Sequence, residues 1–325
     1  MWIRFILSSL VIFFAGKRLP KYVRIISAHT GIGEGYLGVI ALGAITSFPE
    51  LVTSLSSIFL LRDPDLALSN VLGSNIFNMT IIAILFIWSG RTFFDKGEKG
   101  KFQAALLGIL MTALVGFAIF QRSKFSILGI SYLSWLLLLL YLFGMRWLYK
   151  IDRDKLPANS HALIEKNLHI NSIYIRCLVA ALLIMVAGYQ ASFACKEIAI
   201  AMHWESSFVG SLFLAVATSL PELTVCLSAF KIGSPAMAIG NVFGSNIFNL
   251  AIIFPIDLLY PGSIFVKISP YQLLIVFEGI LFTILAILGI SYRTNKRVSR
   301  LSPDGFIMIS IYFLGFWWMF HHMTR

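Results

Sequence analysis

Charge is scarce in this sequence. Of its 325 residues, 13% are Asp, Glu, Lys or Arg and 58% are hydrophobic, whereas soluble domains carry about 25% charged residues. A soluble chain of this size has too little polar surface to cover so many apolar side chains, so lipid must be the solvent for much of it. Strand-like alternation in units of about ten residues is also missing, which argues against a membrane barrel. Cysteine is rare. Cys177, Cys195 and Cys226 all lie in apolar stretches without CxxC-type spacing, so they read as packing residues rather than a metal or disulfide framework. No HExxH, no Asp-rich prenyl motif and no GxSxG elbow occurs, which leaves a membrane enzyme or metal-dependent hydrolase without a motif to rest on. Long polar loops are absent too. The longest connector, 148–172, is too short for an additional folded domain.

What the chain does contain is a series of apolar stretches of about 20 residues, the mark of membrane-spanning helices. Ten spans are expected, near 2–27, 35–60, 66–89, 103–120, 125–147, 173–199, 207–230, 236–260, 270–291 and 304–321. Residues 1–16 are apolar enough for a signal peptide. Lys17, Arg18 and Lys21 follow them where a small-residue cleavage motif would stand, so they read as a retained first span. The net charge of +11 would suggest nucleic acid in a soluble protein. Here basic residues flank spans and set orientation, and no nucleic-acid partner is expected. Of the 26 Lys and Arg, the alternate loops on one side hold all but Arg4, Arg62, Arg122, Lys124, Lys196, Lys267 and Arg325. The bias places the 148–172 linker in the cytoplasm and both termini outside.

An internal repeat organises the spans. Segment 36–82 and segment 208–253 align: Gly38 with Gly210, Thr46 with Thr218, Ser47 with Ser219, Pro49 with Pro221, Glu50 with Glu222 and Leu51 with Leu223, all at one offset of 172. After a one-residue gap, GSNIFN at 73–78 matches GSNIFN at 244–249, and Ala15-Gly16 matches Ala187-Gly188. Five spans per half is an odd number, so the second copy enters the membrane from the opposite side. The expected fold is an all-α polytopic membrane protein of ten transmembrane helices in two inverted five-helix repeats. Residues 1–147 form the first, 148–172 the linker and 173–325 the second. Secondary transporters share this plan and place their site at the repeat interface near the midplane.

Glu50 and Glu222 lie within apolar helices, where a carboxylate costs at least a few kcal/mol and marks function. Each follows a proline, which cannot donate to the carbonyl four residues back, so the helix should bend and leave carbonyl oxygens free. Thr46 and Ser47 sit four and three residues before Glu50, as Thr218 and Ser219 do before Glu222, which should put their hydroxyls on the face of the carboxylate. On the following helix of each half, Ser74 and Asn78, and Ser245 and Asn249, are again one turn apart. The combined donor set is all oxygen, with no sulfur or imidazole, and suits a hard cation such as Ca2+ or Na+. For the hydroxyls alone, helix–helix hydrogen bonding is an equal reading. Asn75 and Asn246 fall on another face and read as structural hydrogen-bonders, and Gly73 and Gly244 as points of close helix approach.

The blocks TSFPE and TSLPE, each followed by GSNIFN, resemble the α-repeats of the sodium/calcium exchanger family, within the cation/calcium exchanger superfamily. The motifs cover about 95 residues and the span layout covers the chain. The resemblance implies alternating access and a central diamond of sites, with Glu50 and Glu222 as the main Ca2+ ligands, shared with Na+. It implies further oxygens from Thr46, Ser47, Ser74, Thr218, Ser219 and Ser245, and a middle completed by Asn78 and Asn249. Ca2+ and monovalent cations are then substrates, with no resident cofactor, and the lipid bilayer is the environment. The chain looks like the compact prokaryotic form, in a bacterial or archaeal plasma membrane. Many family members have Asp where this chain has Asn249. Two carboxylates match one Ca2+ or two monovalent ions, so exchange closer to electroneutral is expected, and H+ or K+ stays open as the coupling ion. A channel lined by the same oxygens is a remote alternative. Outside the motifs, Glu278 reads as facing a neighbouring helix or water pocket or held protonated, with a second ion role as the alternative. Asp257 reads as a solvated interface residue, and Trp317, Trp318, His321 and His322 as an interfacial belt.

Overall fold

The computed structural model describes residues 1–89, 99–122, 124–153, 170–201, 214–291 and 303–323. Among these the chain is helical nearly throughout. In order the helices are α1 (Trp2–Gly16), α2 (Leu19–Thr30), α3 (34–46), α4 (Phe48–Ser56), α5 (Pro64–Ser89), α6 (Lys99–Gln121) and α7 (Tyr132–Arg153). They continue with α8 (Ile170–Ala201), α9 (Ala215–Thr218), α10 (Leu220–Lys231), α11 (Pro235–Leu259), α12 (Gln272–Ser291) and α13 (Pro303–Met323). Seven stretches are long and apolar enough to cross a membrane, among the described residues. The linker beyond Arg153, the first part of the expected span at 207–230, and the side chains of Cys195, Trp317, Trp318, His321 and His322 lie outside the described residues.

Two expected spans differ in detail. The first, expected as one run over 2–27, is two helices broken at Lys17-Arg18. Pro20 supplies the reason: it has no N–H for the carbonyl of Gly16, and its ring crowds that turn, so α1 ends there. The fifth, expected from 125, starts as helix only at Tyr132. Before it Ser126–Ile127 (β1) pairs antiparallel with Ile130–Ser131 (β2). Both turn residues, Leu128 (φ 56°) and Gly129 (φ 81°), are left-handed, as a tight hairpin of this twist requires.

α5 and α11 form the centre. Both are buried on nearly every side, polar residues included, and they pack on each other and on most other helices. Leu68, Val71, Met79 and Leu85 of α5 and Ile239, Val242, Ile247 and Ile253 of α11 are fully buried. α1, α6, α8 and α13 lie outside and turn Phe14, Phe120, Val186 and Phe313 outward, the girdle that lipid would cover. Between helices in lipid, van der Waals contact and hydrogen bonds replace the hydrophobic drive, and small residues allow the closest approach. α3 meets α11 in this way: a Cβ on Gly244 would stand 2.1 Å from the carbonyl oxygen of Val39, and one on Gly43 2.7 Å from the carbonyl carbon of Gly244. Close approach at Gly244 is therefore as expected. The partner that the repeat offset gives Gly73, near position 211, is outside the described residues.

α1 and α8 pack along each other and against the helices that carry the acids. A Cβ on Gly188 of α8 would stand 2.2 Å from Cγ of Pro49, whereas one on Gly16 of α1 would meet Cγ2 of Thr224 at 2.9 Å. At one end of the bundle, Arg24 bridges Glu34 (Nε to Oε1, 3.1 Å) and donates from Nη1 to the carbonyl of Ile232 at 2.8 Å. Ser234 bonds the other Glu34 oxygen. At the opposite end Arg4 pairs with Glu197 at 3.2 Å, joining α1 to α8.

Asp257 is fully buried, which corrects the solvated reading. Its Oδ2 accepts from the Ser131 N–H and the Ser134 hydroxyl, both at 2.7 Å, and Oδ1 from the Ile264 N–H at 2.9 Å. The carboxylate ties the end of α11 to the hairpin and to the loop after Leu259. The helix end places Asp257 under the hairpin, and the sequence-based reading had no view of that cover.

Candidate cation site

Proline interrupts both acid-bearing helices at matching places. The chain leaves helical geometry at Ser47 (φ −86°, ψ 7°) and at Ser219 (φ −87°, ψ 8°). Pro49 offers no N–H to Ile45, nor Pro221 to Ala217. Helical bonding resumes when the Leu51 N–H reaches the Ser47 carbonyl at 3.2 Å and the Leu223 N–H reaches that of Ser219 at 3.1 Å. Glu50 and Glu222 thus fall in the first turns of α4 and α10. Free N–H groups and the helix dipole favour negative charge there.

Thr46, Ser47, Glu50, Ser74, Asn78, Thr218, Ser219, Glu222, Ser245 and Asn249 all show 0% exposure. The acids do not point to lipid. Their hydrogen bonds cross between halves. The Ser47 hydroxyl donates to Glu222 Oε1 at 2.9 Å, and the Ser219 hydroxyl to Glu50 Oε1 at 3.0 Å. Thr46 Oγ1 lies 3.1 Å from Ser245 Oγ, and Thr218 Oγ1 3.2 Å from Ser74 Oγ. Helical spacing places Ser47 beside Glu50 of its own helix. That spacing holds for a continuous helix; the break falls at Ser47 itself and turns its hydroxyl toward the other acid. Each contact has its mate at an offset of 171 or 172, so a two-fold relation between the halves runs through the cluster.

Asn75 and Asn246 are structural, as their face suggests, and they orient the other amides. The Asn78 side-chain N–H2 donates to Asn246 Oδ1 and that of Asn249 to Asn75 Oδ1, both at 3.0 Å. Asn75 and Asn246 in turn donate to each other's backbone carbonyls at 3.2 Å. With the N–H2 engaged on one side, amide geometry leaves Oδ1 of Asn78 and Asn249 directed elsewhere as a pure acceptor.

Among these ten residues, four oxygens are buried without a hydrogen-bond partner: Oε2 of Glu50, Oε2 of Glu222, Oδ1 of Asn78 and Oδ1 of Asn249; Oδ1 of the neighbouring Asn70 is in the same state. An acceptor left in this state costs about 1–3 kcal/mol. Here the four come as two matched pairs, one carboxylate and one amide oxygen from each half. Oxygen ligands of this kind are what Ca2+ or Na+ takes. Among the described residues no group of three or more His, Cys, Asp or Glu gathers; the buried polar side chains of this region are carboxylates, amides and hydroxyls, with Cys226 beside them.

Two residues of this region were not singled out from the sequence. Asn241 accepts the Thr46 hydroxyl on Oδ1 at 3.2 Å and reaches Cys226 Sγ at 3.4 Å. Asn70 donates to Ser54 Oγ at 3.0 Å and lies 3.5 Å from the Glu50 carbonyl. The available signal was the longer match NVLGSN and NVFGSN, which begins at these asparagines. Cys226 is buried and bonds the Ala238 carbonyl at 3.3 Å, in keeping with a packing role.

A family model described as "Sodium/calcium exchanger protein" matches residues 1–150 and 172–321. The chain is 24% identical over 316 residues to an uncharacterised membrane protein of Methanocaldococcus jannaschii, covering 96% of this chain and 95% of that one. A shorter stretch of 57 residues is 47% identical to the sodium/calcium exchanger MaX1 of Methanosarcina acetivorans, 17% of this chain and 16% of the other. In structure the fold matches the sodium-calcium exchanger NCX_Mj soaked with Na+ and Ca2+, with a TM-score of 0.71, 22% identity and coverage of 96% and 95%.

Proposed function

The chain belongs to the sodium/calcium exchanger protein family and is a Ca2+/Na+ antiporter, and we propose that Glu50, Glu222 and the eight residues around them form the exchange site. The observation that carries this is the set of four partnerless buried oxygens, one carboxylate and one amide oxygen from each half. A cation between them would replace the missing donors. Ser47 and Ser219 hold the acids, and Thr46, Ser74, Thr218 and Ser245 supply further oxygens.

Ca2+ and Na+ compete for the same carboxylates, so both do not occupy them together. The neutral amides of Asn78 and Asn249 add oxygen without charge. Two carboxylates balance one Ca2+ or two Na+, and exchange is near electroneutral. The site faces one side at a time as α1 and α8, which carry none of the ten residues, rock against the core. Residues 1–147 and 173–325 act as inverted halves of five spans each, a division that the two matched stretches of the family model support. The distribution of Lys and Arg supports a cytoplasmic linker and outward termini in a plasma membrane.

The test is 45Ca2+ uptake into proteoliposomes. Uptake driven by an outward Na+ gradient is expected. Uptake that ignores Na+ and follows an imposed pH or K+ gradient would overturn the coupling, and unchanged uptake by Glu50→Gln would overturn the site.

A further inference from the structure

Glu278 takes no part in the central cluster. It lies in α12, within the apolar span Gln272–Ile290, about 9 Å from the start of the helix at 1.5 Å per residue. The side chain does not reach an end of the span. Its neighbour Gly279 packs against Ile76 near the middle of α5, while Phe277 beside it is exposed to the lipid side. Glu278 itself is 7% exposed and its Oε1 is buried without a hydrogen-bond partner.

Its cover comes from α13. A Cβ on Gly315 would stand 2.7 and 2.8 Å from the two carboxyl oxygens, so a larger residue there would push the carboxyl from its present place. Tyr312, also buried, stands one turn earlier on the same helix. The far side of α13 carries the exposed Phe313 and Leu314. No other charge faces the acid among the described residues. Asp65 is the sole charged residue of α5 and Lys99 and Lys101 those of α6, all at the starts of their helices, while α13 carries Asp304 at its start and His321 and His322 at its end.

An ionised carboxylate without partner at this depth is so costly that the group is carried neutral. We propose that Glu278, roofed by Gly315 and Tyr312, is a second carboxyl site, one that binds a proton and is reached from the lipid between α12 and α13 rather than through the central cluster. Such an acid is a target for an apolar carbodiimide. The acid proton passes to a carbodiimide nitrogen, the carboxylate oxygen bonds to the central carbon, and the adduct rearranges to a stable N-acylurea with no leaving group.

The experiment uses the full chain in proteoliposomes, treated with dicyclohexylcarbodiimide and mapped by peptide mass spectrometry. The expected result is an adduct on Glu278 whose yield is unchanged by millimolar Ca2+, is lost in Glu278→Gln and falls several-fold in Gly315→Ala, where the added methyl crowds the oxygens. Glu278→Gln should retain Na+-driven Ca2+ uptake. No adduct on Glu278, protection by Ca2+, or equal labelling by a charged, water-soluble carbodiimide would each overturn the proposal. The labelling yields on Glu278 do not depend on which ions the central site exchanges; only the uptake readout does.

Discussion

Ser47 and Glu222 come from opposite halves of the chain, 175 residues apart, and their side chains meet at 2.9 Å. The reciprocal contact joins Ser219 to Glu50. Each half therefore carries the acid that the other half's hydroxyl positions, and neither acid is set by its own helix alone. A hydrogen bond to a charged group contributes about 1.5–3 kcal/mol. Ser47→Ala should weaken Ca2+ binding roughly tenfold, acting through Glu222. A double-mutant cycle of Ser47→Ala with Glu222→Gln, read by Ca2+ affinity, should be strongly non-additive. Additive losses would mean that the serine does not act on that acid.

The acids themselves should matter more. Removing one partner of a buried charged interaction costs about 2–5 kcal/mol, and about 1.4 kcal/mol is a factor of ten. Glu50→Gln and Glu222→Gln should each lower Na+-dependent 45Ca2+ uptake by about a hundredfold or more, with normal membrane insertion.

Asn249→Asp changes the charge of the site by one without changing its shape. The wild-type protein should exchange ions with little dependence on membrane potential, and the variant should become potential-dependent. Ca2+ uptake with the vesicle potential clamped by a K+ ionophore reads this directly. Strong potential dependence in the wild type would remove the charge-balance argument.

Gly244→Ala drives a methyl into the Val39 backbone of α3, which cannot move aside as a side chain would. Overpacking of this kind costs about 1–3 kcal/mol. The melting temperature in detergent should fall by several degrees. Gly108→Ala is the control, since its Cβ would meet only Ile247 Cγ1 at 4.0 Å and should be tolerated.

Asp257→Asn replaces an acceptor of three hydrogen bonds with a group that is half donor. At least one buried N–H or hydroxyl would lose its partner, at about 1–3 kcal/mol. Thermal stability should drop, while Ca2+ affinity stays within about twofold of the wild type, because Asp257 belongs to the hairpin and not to the central cluster.

Much of this was legible in the residues. The repeated TSFPE and TSLPE blocks located both helix breaks, because a proline's missing N–H acts at a fixed distance of four residues. The oxygen-only chemistry followed from side-chain types alone. What escaped was whatever depends on the far half of the chain. Spacing along one helix could not reveal that Ser47 serves Glu222. Apolarity could not show that α1 stops at Gly16, although Pro20 held the reason. The burial of Asp257 depends on a four-residue turn at Leu128 and Gly129 folding over it. Asn70 and Asn241 belong to the matched blocks but lie outside the GSNIFN core, three residues before it.

The contacts of Gly16 and Gly188 do not mirror each other. Gly188 rests on Pro49, yet its counterpart Gly16 rests on Thr224, three residues past Pro221. Three residues of helix are about 4.5 Å. A molecule whose halves are near-copies is thus caught off balance by less than one turn, and its mirror form, with Gly16 on Pro221 and Gly188 near Val52, is built from the same kinds of contact. In the cycle proposed above, rocking of α1 and α8 would exchange this offset between the two halves.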